Sequence, residues 1–437
     1  MATSLLASPV LGDEGYNVVA TLQAPEPTDY GGFGADLVLH GGFLLVAEWE
    51  ADLGELTKVG RAYIYDSEWN LVKTLQAPDP ENYETFSISV DMWGDTLAIS
   101  CYDNVEDIEE AGIVYIYDSE GTFRNVIQSP EPEFQALFGE QLCLHGDLLL
   151  VAEPAKNFEG FMDAGLIHVF DSEGVYQRTL DSPSKKQRGG FGGSIDANDE
   201  FILVAERGVS SNPSVESSVY VYDHDYNLIT TLHPPDNQEY SFFGYAVAIS
   251  GNHVVIGERW ATVTGLEKAG RAHIYDTDWN LVATLQSPTP EENGEFGIDV
   301  HIEGGLVVVG ERKANVEIMN EGKAYVYDLE GNLIDTLVPP EPEIGAQFGW
   351  RVFTDGDMVL VADVEHSADG HSKAGQIHVF EWGEPTAEQP PAEEGTTESE
   401  PESEPEESRG IPGFPLESII LSVASVIMAL WLTQQRR

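Results

Sequence analysis

Six carboxylates and one thiol recur along the chain at nearly constant spacing: Glu48, Cys101, Glu153, Glu206, Glu258, Glu311 and Asp363. Each stands fifteen residues after a phenylalanine: Phe33, Phe86, Phe138, Phe191, Phe243, Phe296 and Phe348. Carboxylates gathered on one face attract cations or a basic peptide, and crowding raises the pKa of some of them. Glu48, Glu153, Glu206, Glu258, Glu311 and Asp363 are therefore the candidate binding set. A second reading needs no ligand. Arg207, Arg259 and Arg312 directly follow three of the acids, and Arg61, Arg271 or Lys323 ends the next loop. Acids that cap strand ends and pair with such bases explain the pattern without a ligand.

Catalysis fits less well. Acid–base pairs need unlike environments, whereas these acids repeat from unit to unit. No GxSxG, Walker loop or dinucleotide fingerprint occurs, so no catalytic residue is assigned. His366 and His371 share a loop with Asp363, Glu365 and Asp369, the one metal-like grouping, and it is too weak to assign a metal. His168, His273 and His378 replace Tyr63, Tyr115, Tyr220 and Tyr325 at one recurring position, which marks them as structural. Cys101 and Cys143 fall in neighbouring units, either bridged or as two inert buried thiols.

The elements that position these residues follow from the period. The phenylalanines are 52 or 53 residues apart, and a fixed period of about 40–50 residues built from short strands indicates a propeller or another repeat array. Four strands are expected per unit. The first runs from a Phe-Gly pair, with an aliphatic four residues on (Leu37, Val90, Leu142, Ile195, Val247, Val300, Val352). A tight turn follows. The second strand is continuously apolar, as in Leu149-Leu150-Val151, so both faces of its sheet must be covered. It ends on a small residue (Ala47, Ser100, Ala152, Ala205, Gly257, Gly310, Ala362), read as a close approach of neighbouring backbones. The third strand alternates, as in Lys323-Ala324-Tyr325-Val326-Tyr327. The loops between second and third strands, such as Pro154–Ala164, Gly208–Ser217 and Trp260–Ala269, are expected to vary in length and content on a constant frame, the usual place for recognition. Trp49, Phe158, Phe161 and Trp260 either meet a ligand there or pack under their own loops.

The seventh unit has no fourth strand before the composition changes at Trp382. Tyr16-Asn17-Val18-Val19-Ala20-Thr21-Leu22 matches the missing element, being equivalent to Trp69–Leu75 and Trp279–Leu285. The N-terminal strand is thus expected to close a ring of seven four-stranded blades, an all-β propeller over residues 16–382, which removes the open sheet edges.

Phe243–Asp276 and Phe296–Asp328 resemble FG-GAP repeats, best known from integrin α-chain propellers. The resemblance implies a binding or adhesion module. Calcium-binding members carry a DxDxDG-type loop between the first two strands, where this chain has short turns such as Ser250-Gly251-Asn252. Calcium is therefore not carried over, and no cofactor is expected.

Outside the repeats, residues 1–15 read as a leader or flexible segment. Residues 383–410 form an acidic linker that cannot bury enough apolar surface to fold. Residues 411–437 hold Pro412, Gly413 and Phe414, the apolar run Leu416–Leu432 and two terminal arginines. That order resembles the PGF-type C-terminal sorting signals of archaeal surface proteins, which implies a membrane partner through the helix and a sortase-like processing enzyme. The basic end favours the cytoplasmic side, leaving the propeller outside the cell. A net charge of −55, from 76 acidic against 21 basic residues, argues against nucleic acid as a partner. The expected function is non-enzymatic binding of a protein or glycan. A glycan hydrolase or lyase using carboxylates at the propeller mouth, and a structural coat component, are the rival readings.

Overall fold

The residue after each organising phenylalanine lies against the preceding blade. Gly244 has a φ of 79°, and a Cβ there would lie 2.9 Å from Val219 Cγ2 and 3.0 Å from Ala205 Cβ. A residue with no side chain meets both demands without strain. The phenylalanine amide completes the junction. Phe33 N–H donates to the Ala374 carbonyl (2.7 Å) and Phe296 N–H to that of Ala269 (2.9 Å). All seven rings are fully buried, and Phe33 packs on Tyr63 at 5.5 Å between centroids.

The computed structural model describes residues 14–105, 108–208, 216–236, 238–316 and 318–383. The linker, the Pro412-Gly413-Phe414 motif and the apolar run at 416–432 lie outside them, as do residues 1–13. Among the described residues no helix is long and apolar enough to cross a membrane.

Seven antiparallel sheets of four strands make up the propeller, and in six of them the strands lie in chain order. The fifth is typical: Phe243–Ser250, His253–Glu258, Arg271–Asp276 and Leu281–Leu285. In the second and third blades the first strand is shorter, Val90–Trp93 and Leu142–His145. The seventh blade is assembled from both ends of the described chain. Gly15–Gln23 pairs with Gln376–Gly383, which is followed by Met358–Asp363 and Phe348–Thr354. The register sets Val18 against Phe380 and Leu22 against Ile377, with a bulge between Val18 and Ala20. The closing strand is where the sequence pattern puts it.

Facing blades share continuous cores. Between the fourth and fifth, Leu203, Ala205, Val219, Val221 and Leu232 pack with Phe243, Val247, Ile249, Val254 and Ile256. The small residue ending the second strand is the closest approach: a Cβ on Gly310 would stand 2.0 Å from the Gly349 carbonyl oxygen of the next blade. First strands from all seven blades line a central channel, where Val38, Asp91, Leu144, Asp196, Ile249, His301 and Phe353 meet. Fourth strands form the outer rim and expose Leu71, Val72, Leu228, Ile229, Leu281 and Val282.

Candidate binding site

The six acids of the sequence pattern lie inside the blade stack and not at its open mouth. Glu48, Glu153, Glu206, Glu258, Glu311 and Asp363 are all completely buried, as is Cys101 in the seventh position. Register explains the placement. Val46 pairs with Tyr63 and Glu48 with Arg61, so the acid and the aromatic two residues along share one face. Tyr63 donates to Glu48 at 2.5 Å, Tyr220 to Glu206 at 2.8 Å, and Tyr325 to Glu311. His168 replaces the tyrosine against Glu153 (2.7 Å) and His273 against Glu258 (2.8 Å). Each acid keeps to its own blade, so the structure does not gather the six into one cluster.

Their electrostatics differ by partner. Burial pushes Glu48 and Glu311 up to about 7, against the opposing hydrogen bonds of Tyr63 and Tyr325. Burial also raises Asp363. For Glu258 it is outweighed by hydrogen bonds from His273 and Arg271, which hold that carboxyl below its ordinary value. Of the bases expected to pair with the acids, Arg271 does so, at 2.5 Å from Glu258. Arg259 and Arg312 do not: Arg312 is paired with Glu295 at 2.7 Å, and Arg259 lies 3.7 Å from the centroid of the Tyr245 ring. The reason is alternation. The acid turns into the blade, so the following residue must turn out of it.

In three blades that outward position, held by Trp49, Tyr102 and Arg207, opens onto the channel. A cavity of about 390 Å³ at this end is lined by Trp49, Tyr102, Glu140, Arg207, Tyr245 and Trp350, with Asp36, Asp299 and Arg351 deeper in. Trp49 and Trp350 stand edge to face at 6.3 Å. Arg207 lies 4.6 Å from the Tyr245 centroid, and Arg312 lies 4.5 Å from that of Trp350. Arg351 sits 3.4 Å from both Asp36 and Asp299. Tyr245 and Trp350 stand on first strands, and Trp49, Tyr102 and Arg207 directly follow second ones, so strand ends bring aromatic faces and guanidinium groups together here.

Below the mouth the wall is stitched from blade to blade. Asp91 accepts the Leu144 amide (2.6 Å), Asp196 that of Ile249 (2.7 Å) and Asp299 that of Val352 (2.8 Å). Burial pushes these three up to about 8, 7 and 6. Asp91 and Asp196 also open onto a second cavity of about 580 Å³ that meets His40, Trp93, Cys143 and His145.

Residues 226–275 match the family model of the FG-GAP repeat. The matched stretch runs from the end of one blade through three strands of the next, and its Phe-Gly pair, small residue and third-strand pattern recur around the ring. The chain is a seven-bladed β-propeller that carries an FG-GAP repeat. No curated protein matches it. FG-GAP propellers commonly serve as binding or adhesion modules.

The remaining candidates fall into place on this seven-bladed frame. Cys101 and Cys143 are free, buried thiols. His366 lies 3.4 Å from Asp363 and from Glu343, while His371 turns to Asp29 at 3.5 Å; the two histidines do not converge, and no group of three metal-binding side chains occurs among the described residues. The loops after the second strand are more uniform than expected. Leu53–Leu56, Val105–Ile108, Phe158–Phe161, Val263–Leu266 and Ala368–His371 close the same small bridge in five blades. Each is tied to the chain entering the next blade, as Thr57 O is by Tyr83 N–H at 2.9 Å. Trp260 packs edge-on to Phe242 at 4.6 Å. Sequence reasoning missed Tyr102, Glu140, Tyr245, Trp350 and Arg351 as mouth residues. Glu140, Tyr245 and Trp350 stand two residues after their phenylalanines, Arg351 three, and Tyr102 follows the second strand; no one residue type holds any of these places around the ring to mark it.

Proposed function

We propose that this propeller is a non-enzymatic binding module, displayed outside the cell, that takes a glycan or protein ligand at the channel mouth. The observation that carries the reading is the 390 Å³ cavity walled by Trp49, Tyr102, Arg207, Tyr245 and Trp350. The acids support it from the other direction. An acid such as Glu258, completely buried and already bonded to His273 and Arg271, has no access to a substrate atom, and proton transfer needs hydrogen-bond reach. The ligand face is therefore assigned to the residues beside the acid set and not to the set itself. Display would rest on the apolar run at 416–432 as membrane anchor, with Pro412, Gly413 and Phe414 as the mark for a sortase-like enzyme.

The test is a screen of glycans and surface proteins against the full chain, repeated with Trp49→Ala and Trp350→Ala. Loss of a buried aromatic anchor at a binding centre costs about 2 kcal/mol or more, so a true ligand should weaken at least tenfold with either variant. A ligand indifferent to both substitutions would move the site elsewhere on the propeller. Protease treatment of intact cells should remove the propeller while sparing cytoplasmic proteins.

A further inference from the structure

The mouth is not electrically uniform. On the fourth to seventh blades Arg207 and Arg351 line it, while Arg259 and Arg312 lie against its aromatics Tyr245 and Trp350. In a chain with a net charge of −55, such a run concentrates positive charge beside the acids of the cavity wall, Asp36, Glu140 and Asp299. Its members are not equally satisfied. Arg312 and Lys313 share Glu295, at 2.7 and 2.8 Å. Arg351 is held between Asp36 and Asp299. Arg259 instead lies over Tyr245 and 4.9 Å from the centroid of Trp260, and its Nε is buried with no hydrogen-bond partner among the described residues. An unsatisfied buried donor on a cation is costly. Burial, together with Arg312 and Arg207, also lowers its pKa. An anion arriving beside the rest of the guanidinium group would favour its charged form.

We propose that the Arg207–Arg259 side of the mouth recognises the anionic group of a carboxylate- or sulfate-bearing sugar, whose ring lies against Trp49 or Trp350. The proposal rests on the mouth being the ligand face. Guanidinium forks match carboxylate and sulfate oxygens through paired hydrogen bonds, and the aromatic faces beside them suit a rigid ring, which loses little freedom on binding. The surrounding charge narrows the ligand further. A long polyanion would be repelled by the rest of the surface, so the ligand is a short acidic saccharide or the end of a chain.

This geometry has an unusual salt signature. The repulsion acts over distance, and salt shortens the Debye length from about 30 Å at 0.01 M to about 3 Å at 1 M. The partly buried contacts at the mouth are screened far less. Affinity for a small acidic sugar should therefore rise with salt, where an ordinary exposed ion pair would weaken.

The experiment is calorimetric titration of the full chain with galacturonate, galactose 6-sulfate and uncharged galactose at low and high salt. Either anionic sugar should bind at least about tenfold more tightly than galactose, the worth of one hydrogen bond to a charged group, with the preferred one naming carboxylate or sulfate. Arg259→Gln and Arg207→Gln should each remove that preference, and Arg259→Lys should restore part of it by returning the charge. Circular dichroism melts would establish that the variants remain folded. Galactose binding as well as the acids, with loss in Trp350→Ala but not in Arg259→Gln, would overturn the anion proposal and leave the mouth as ligand face. Acidic sugar binding unaffected by all of these substitutions would overturn the mouth itself. Tighter binding of phosphotyrosine than of either sugar would also overturn the proposal.

Discussion

Asp91 illustrates what the channel wall does to a carboxyl. Its Oδ2 accepts the Leu144 amide, yet burial and the nearby charges of Asp196 and Asp36 push it up to about 8. A carboxyl whose folded pKa exceeds its unfolded value stabilises the fold while protonated, and that contribution fades as pH climbs through the folded value. The window for Asp91 runs from the ordinary aspartate value, about 4, to about 8. Asp196, Glu48 and Glu311, at about 7, act in the same direction. Glu258 and Glu295 are held low and act in the opposite sense, losing their contribution only as pH falls further. The thermal midpoint should therefore be higher near about pH 5.5 than near about pH 8. Asp91→Asn keeps an acceptor for Leu144 and discards the charge, so it should raise stability at the higher pH by on the order of 1 kcal/mol and flatten the profile. Calorimetric scans across that range check it, and an unchanged slope would contradict the assignment. The same residue shows a limit of sequence reading. Asp91 and Asp196 each stand five residues after their phenylalanine, but aspartate at two of seven equivalent places does not announce itself as a pattern.

Blade strands were legible because their demands repeat. A buried phenylalanine, a residue tolerating positive φ and a small residue at the second strand's end are needed at every junction, so the sequence restates them seven times. Serine shows which demand is strict: Ser87 takes the place after Phe86 with a φ of 73° and donates to the Arg61 carbonyl at 2.6 Å. The mouth was less legible because nothing forces its residues to repeat. Trp49, Tyr102, Arg207, Arg259 and Arg312 hold one structural position with different chemistry, and their adjacency to buried acids made the arginines look like partners of those acids. Uniform loops were hidden for a similar reason: the small bridge closed by Leu53–Leu56 and by Phe158–Phe161 depends on backbone geometry more than on residue type. At the junction itself, Gly310→Ala should force the sixth and seventh blades apart, since the added methyl would meet the Gly349 carbonyl oxygen at 2.0 Å. Overpacking of this kind costs about 1–3 kcal/mol. Urea unfolding should show a lower midpoint with an unchanged slope; a midpoint equal to that of the parent would mean the blades yield freely.

The whole molecule depends on a strand borrowed from the far end of the chain. Deleting residues 15–23 should leave the Gln376–Gly383 strand without its outer partner and uncover Phe380, which is 3% exposed. Exposed edges pair with other chains, so the truncated protein should elute in larger species on size exclusion, and a synthetic peptide of residues 15–23 should return it to monomer. A monomeric truncation with an unchanged melting point would show that the ring holds without closure. Acidity acts at this scale too: with a net charge of −55, the proposed selection between ligands at the mouth would begin before contact. The closing pair has a mechanical corollary. Gly15 lies directly opposite Gly383 in antiparallel register, so the chain enters and leaves the ring at the same end of one sheet. Tension applied through those two points would not shear the strands along their length. It would peel them like a zipper, one rung after another, making this seam the first part of the ring to yield under load.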